Sequence, residues 1–100
     1  MTTAGLLVRF EAKLGREQEV ARFLRGALSL AQAEPATTVW FGTQMWPSTF
    51  GIFDALPSEL GRQAHLAGNI TAVLAAKTPD LLAHLPNIEK VDVLTSKLPG

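Results

Sequence analysis

The sequence predicts an α+β domain in which helices back an antiparallel sheet. Three observations predict it: an alternating apolar run near the start, a long helical stripe after it, and two strand-like runs joined by a tight turn. Residues 5–12 read as a strand, with Leu6, Val8, Phe10 and Ala12 on one face and Leu7, Arg9 and Glu11 on the other. Lys13-Leu14-Gly15 reads as a turn. Val20, Phe23, Leu24, Ala27, Leu28 and Ala31 then follow the i, i+3, i+4, i+7 spacing of a buried helical stripe. Glu17 and Glu19 fall in the first turn, where the helix dipole favours acids. Gly26 is costly in mid-helix, so close packing is expected there. Glu34-Pro35 ends the helix, because the residue before proline avoids α geometry. Residues 37–45 and 48–55 read as strands of a hairpin turning at Trp46-Pro47-Ser48. Ser58 is the expected N-cap of the next helix, and Gly68-Asn69 breaks it. A further segment spans 70–77, and Thr78-Pro79-Asp80 restarts a short turn of helix. Residues 88–97 form the last strand. The order is β-α-β-β-α-β, the ferredoxin-like arrangement, as a single domain over 1–100.

Composition narrows the function classes. Nine basic and nine acidic residues cancel and are interspersed, so a nucleic-acid footprint is not expected. No run approaches the roughly 20 apolar residues of a membrane span, and no membrane partner is expected. The first residues lack the charged and apolar regions of a signal peptide. The absence of cysteine excludes disulfides, thiolate metal sites and a cysteine nucleophile, and fits a cytoplasmic setting. The chain is 47% hydrophobic and only 18% charged, which is apolar for a domain with so much surface to cover. Both faces of the predicted sheet carry apolar side chains: Val39, Phe41 and Met45 oppose Trp40, Phe53 and Ala55 oppose Phe50 and Ile52, and Val91 and Val93 oppose Ile88 and Leu94. Helices cover one face, so a homodimer through the other is the expectation, with a monomer bearing an apolar patch as the alternative.

The run Leu6-Leu7-Val8-Arg9-Phe10-Glu11-Ala12-Lys13-Leu14-Gly15-Arg16-Glu17-Gln18-Glu19-Val20 resembles the opening strand, turn and acidic helix start of the antibiotic-biosynthesis-monooxygenase superfamily. Phe50-Gly51-Ile52-Phe53-Asp54-Ala55 is similar to its third strand. Ser58-Glu59-Leu60-Gly61-Arg62-Gln63-Ala64-His65-Leu66 is similar to its Ala-His-Leu helix, and Ile88-Glu89-Lys90-Val91-Asp92-Val93-Leu94 to its closing strand. The resemblance spans nearly the whole chain. It implies a dimeric α+β barrel whose members oxidise phenolic or quinol-like aromatics with molecular oxygen, without metal, flavin or haem. In that chemistry a base favours the phenolate, and the electron-rich ring reduces oxygen in a dry pocket.

His65 is the candidate base, with an intrinsic pKa near neutrality. Gly61 and Gly68 share its helix face and leave space for a ligand. The alternative is a structural histidine bonded to Asp54 or to a backbone carbonyl. Trp40, Trp46 and Phe53 are candidate flat surfaces for an aromatic ligand. Arg62 and Asn69, which flank the His65 helix, are candidates to bond a ligand oxygen or carboxylate, with a helix cap as the alternative for the asparagine. His84 reads as a surface residue, and with His65 it makes no metal-binding spacing. Two departures from the resembling pattern stand out. Tyrosine is absent, and Ile70 stands where a second histidine is common. They keep open a non-catalytic, ligand-binding or accessory dimer. The haem-degrading branch of the fold expects an asparagine on the first strand, where Leu6, Val8 and Phe10 stand.

Overall fold

The structure is a computed structural model and describes residues 3–99. Strand β1 (Ala4–Glu11) leads into helix α1 (Glu17–Gln32). The hairpin β2 (Val39–Gln44) and β3 (Thr49–Leu56) follows, then α2 (Glu59–Leu66), α3 (Asn69–Leu81) and β4 (Asn87–Asp92). The sheet is antiparallel throughout in the order β2-β3-β1-β4, so the ferredoxin-like α+β expectation holds, with its second helical layer divided into α2 and α3.

Register sorts the sheet into two unlike faces. Leu6 opposes Asp54, Val8 opposes Ile52 and Phe10 opposes Phe50 across β1 and β3. These six side chains are buried, and with Val20 and Leu24 of α1 and Leu74 and Leu81 of α3 they make up the body of the core. Phe10 and Phe50 stack with centroids 6.3 Å apart. On the reverse face Leu7 opposes Phe53, Phe41 also opposes Phe53, and Gly5 opposes Val91. No helix covers that face, and Phe41 remains 55% exposed.

Three local readings are corrected. The expected restart at Thr78 does not occur, and α3 runs unbroken through Pro79. Burial of Leu74, Thr78 and Leu81 carries the helix onward. Thr78 is not a cap: its hydroxyl donates to Leu74 O at 2.9 Å, and the Pro79 carbonyl accepts from Lys13 Nζ. The last strand stops at Asp92, not at residue 97, because Asp92 already pairs with Ala4, the first residue of β1. Beyond it Val93 N donates to Thr3 O.

Gly26 is not explained by close packing. A Cβ built there meets nothing within 4 Å, and the residue is exposed on α1. Gly26→Ala is therefore expected to stabilise the protein by about 0.5–1 kcal/mol, the helix-propensity difference without a clash. Urea unfolding followed by circular dichroism measures it, and a lower midpoint would show that the open space is needed for the fold.

Candidate functional site

Asp54 sits on β3 facing the helices, opposite Leu6 on one side and Trp40 on the other. It is completely buried. An acidic residue in a strand of Phe50, Ile52 and Leu56 needs compensation, since an isolated buried carboxylate costs many kcal/mol. The compensation is His65, on the buried side of α2, whose start is set by Ser58 accepting from Gly61 N. His65 Nε2 lies 2.8 Å from Asp54 Oδ2, an ion-pair contact, and Asp54 Oδ1 has no partner among the described residues. On the other side of the ring, Nδ1 lies 2.6 Å from Glu34 Oε2. Thr37 Oγ1 donates to the same oxygen at 2.9 Å and lies 3.3 Å from Nδ1. Burial of the ring opposes its charged form, but the carboxylates of Asp54 and Glu34 outweigh it and hold the pKa of His65 above the ordinary histidine value.

The imidazole forms the wall between two spaces. Inside is a small cavity of about 20 Å³, lined by Leu6, Val8, Ile52, Ile70, Leu74 and Ile88 and ending at Asp54, His65 and Thr71. That volume admits one water-sized group. Of its lining residues Ile88, on edge strand β4, is the exposed one. Outside is an open cleft of about 320 Å³ between the end of α1 and α2, bordered by Glu34, Thr37, Gly61, Gly68 and Asn69.

The residues singled out in the sequence do not all converge. His65 and Asn69 share the outer cleft, and Asn69 is exposed at the first position of α3. Trp40 packs partly buried against the core, its Nε1 buried without a partner. Trp46 is 70% exposed in the hairpin turn, and Phe53 lies on the open sheet face. Arg62 is committed within the fold: it pairs with Glu59 and donates from one nitrogen to the carbonyls of Gly5 and Val91. Asp54 stands beside His65, as the structural alternative anticipated. The sequence marks Glu34 only as part of the α1 stop. An acid just past the end of α1 opposes the helix dipole, and that misfit was the available signal. Among the described residues, no group of three or more His, Cys, Asp or Glu is arranged to hold a metal ion.

The fold, with Asp54 and His65 buried in it and Glu34 half-buried against the ring, defines a ferredoxin-like α+β protein with ionisable groups in its interior. The chain is 55% identical to NE2512, a protein of unknown function from Nitrosomonas europaea, over 100% of this chain and 97% of that one, with a TM-score of 0.98. It belongs to the family of that protein. More distant solved structures share the fold. Rv0793 from Mycobacterium tuberculosis is 13% identical over 94% of this chain and 97% of its own, with a TM-score of 0.81. An antibiotic biosynthesis monooxygenase is 13% identical over 92% and 99%, with a TM-score of 0.77. The sequence matches no protein-family model and no curated protein.

Proposed function

We propose that this protein is a cofactor-independent monooxygenase that captures the hydroxyl of a small phenolic or quinol-like aromatic at Asp54 and oxidises the ring with molecular oxygen. The observation that carries this reading is the Asp54 carboxylate, fully buried at the polar end of an aliphatic cavity, with His65 against Oδ2 and no partner for Oδ1 among the described residues. Buried acceptors are nearly always satisfied, so a hydrogen-bond donor belongs there. The space is the size of a hydroxyl or a water. A ring attached to that hydroxyl requires the Ile88 side of the cavity to open.

The proton acceptor in this proposal is Asp54, and His65 supplies the compensating charge. That assignment differs from the one the sequence pattern suggests for His65. A carboxylate against each ring nitrogen favours the charged form of His65 and holds its pKa above the ordinary value, so the ring serves here as the cation that compensates Asp54. Transfer of the phenolic proton to Asp54 leaves an electron-rich ring that reduces oxygen. One oxygen atom enters the ring as a carbonyl and the other leaves as water, with the electrons supplied by the substrate. The shared fold of a structure described as an antibiotic biosynthesis monooxygenase supports the reading. So does the aliphatic lining, which keeps water from the reacting centre. The working unit is a homodimer joined through the open sheet face.

Oxygen uptake with a panel of hydroquinones and polycyclic phenols, without added metal or flavin, tests the proposal. Uptake above the buffer rate is expected, with a loss of about 10²-fold or more in Asp54→Asn, which keeps the shape and removes the base. Unchanged turnover in Asp54→Asn would remove Asp54 from the chemistry. The closed cavity favours a second reading, a non-catalytic protein that binds a hydroxylated ligand. Tight binding of a panel member without oxygen uptake would select it.

A further inference from the structure

We infer that Glu34 is a positioning residue of this site: its carboxylate, braced by Thr37, fixes the orientation and charge of the His65 ring that compensates Asp54. The inference rests on the proposed role of Asp54 but concerns a group that does not line the inner cavity. Glu34 follows the C-cap of α1, where the negative end of the helix dipole disfavours an acid. Its side chain nevertheless turns inward and is only 20% exposed. The 2.6 Å contact between Oε2 and Nδ1 joins two atoms that need a proton between them. Thr37 spends its hydroxyl proton on the same Oε2, so that proton is not available to Nδ1. The proton in the Glu34 contact therefore belongs to the ring. At Nε2 the Asp54 carboxylate at 2.8 Å equally favours a ring proton. One carboxylate on each nitrogen makes the ring an imidazolium, whose positive charge lies against a fully buried acid.

Glu34 acts only through the ring. It borders the outer cleft, Asp54 borders the inner cavity, and His65 is the residue common to both. Other charged groups leave that control intact. Arg62, on the same helix, is bound to Glu59 and to the carbonyls of Gly5 and Val91. Lys90 of β4 opposes Leu6 in register, is exposed, and acts on Glu59. From α3 and β1 the inner cavity receives Ile70, Thr71, Leu74, Leu6 and Val8, which carry no charge.

The test is a pH titration of the ring nitrogens in ¹⁵N-histidine-labelled protein by NMR, with exposed His84 as the internal reference. In the unaltered protein both His65 nitrogens are expected to be protonated at neutral pH. In Glu34→Gln the His65 midpoint is expected to fall by about one pH unit or more, the effect of losing an opposite charge in contact, while His84 does not move. An unchanged His65 midpoint in folded Glu34→Gln would overturn the inference. If that variant does not fold, Thr37→Val removes the brace and keeps the carboxylate. A smaller downward shift is then expected, and no shift would overturn the inference. The outcome is separable from the proposed function. A lowered midpoint in a protein that oxidises no panel member would sustain Glu34 and refute the oxygenase, and uptake sensitive to Asp54→Asn with an immobile His65 midpoint would do the reverse.

Discussion

His65→Ala is expected to destabilise the fold by about 3–5 kcal/mol, the cost of stranding a buried charge by removing its partner. The size follows from Asp54. Its carboxylate is fully buried and His65 Nε2, at 2.8 Å, is its one ion-pair contact among the described residues. Alanine also leaves a cavity next to aliphatic neighbours that cannot solvate the acid. Urea unfolding at fixed pH measures the loss. Replacing the buried pair together, as Asp54→Leu with His65→Leu, is expected to restore most of it, because no uncompensated charge remains in the core. A loss below about 1 kcal/mol in His65→Ala would show that the acid finds another partner. The pH dependence has a definite sign. The folded-state pKa of His65 is raised, so its stabilising contribution is complete below the ordinary histidine value of 6.5 and is lost as pH rises through the raised value. The unaltered protein should become easier to unfold across that window, and His65→Ala should lack this component.

The sequence made the scaffold legible because burial imposes periodicity. Leu6, Val8 and Phe10 alternate with Leu7, Arg9 and Glu11, and the structure buries the first set beneath the helices. The α1 stripe is equally plain, since Val20, Leu24, Ala27 and Ala31 are its buried residues. Errors arose where a neighbour outside the local window decides. Thr78-Pro79 carries a helix-start signal, yet contacts around Leu74 and Leu81 keep α3 intact. Residues 93–97 have the composition of a strand, but β1 offers no further partner residues. The site divides in the same way. Asp54 and His65 could be paired in thought because each stood out in its element. Glu34 could not, because its bond to His65 spans 31 positions and depends on how the α1–β2 connection folds back. Trp46 and Phe53 stand out by residue type, and the structure sets Trp46 in the hairpin turn and Phe53 on the open sheet face, both apart from His65.

The open sheet face gives the second large effect. Leu7, Val39, Phe41, Phe53 and Val91 lie on it by register and Met45 reaches over Gly51, with Phe41 at 55% and Met45 at 42% exposed. Toward its centre the residues are small: Gly5 lies beneath Val91 and Phe53, and Gly51 beneath Met45 and Thr43. The face therefore carries an apolar patch around Phe41, Phe53, Leu7 and Val91, bordered by Arg9, Glu11 and Glu89, which suits a two-fold interface in which the same residues serve both copies. Phe41→Lys is therefore expected to break the proposed dimer. Each copy would bring its own unpaired ammonium to the interface, at several kcal/mol per charge. At about 1.4 kcal/mol per factor of ten, the dissociation constant should rise by about 10³ or more. Sedimentation equilibrium at matched concentration should give the mass of two chains for the unaltered protein and of one for Phe41→Lys. Leu14→Lys is the control, because Leu14 is 97% exposed in the β1–α1 turn, away from that face, and should leave the dimer intact. If the unaltered protein has the mass of one chain at every concentration, the sheet-face dimer is wrong. The open face would then need a different partner, while the Asp54 site, on the opposite side of the sheet, would stand on its own evidence.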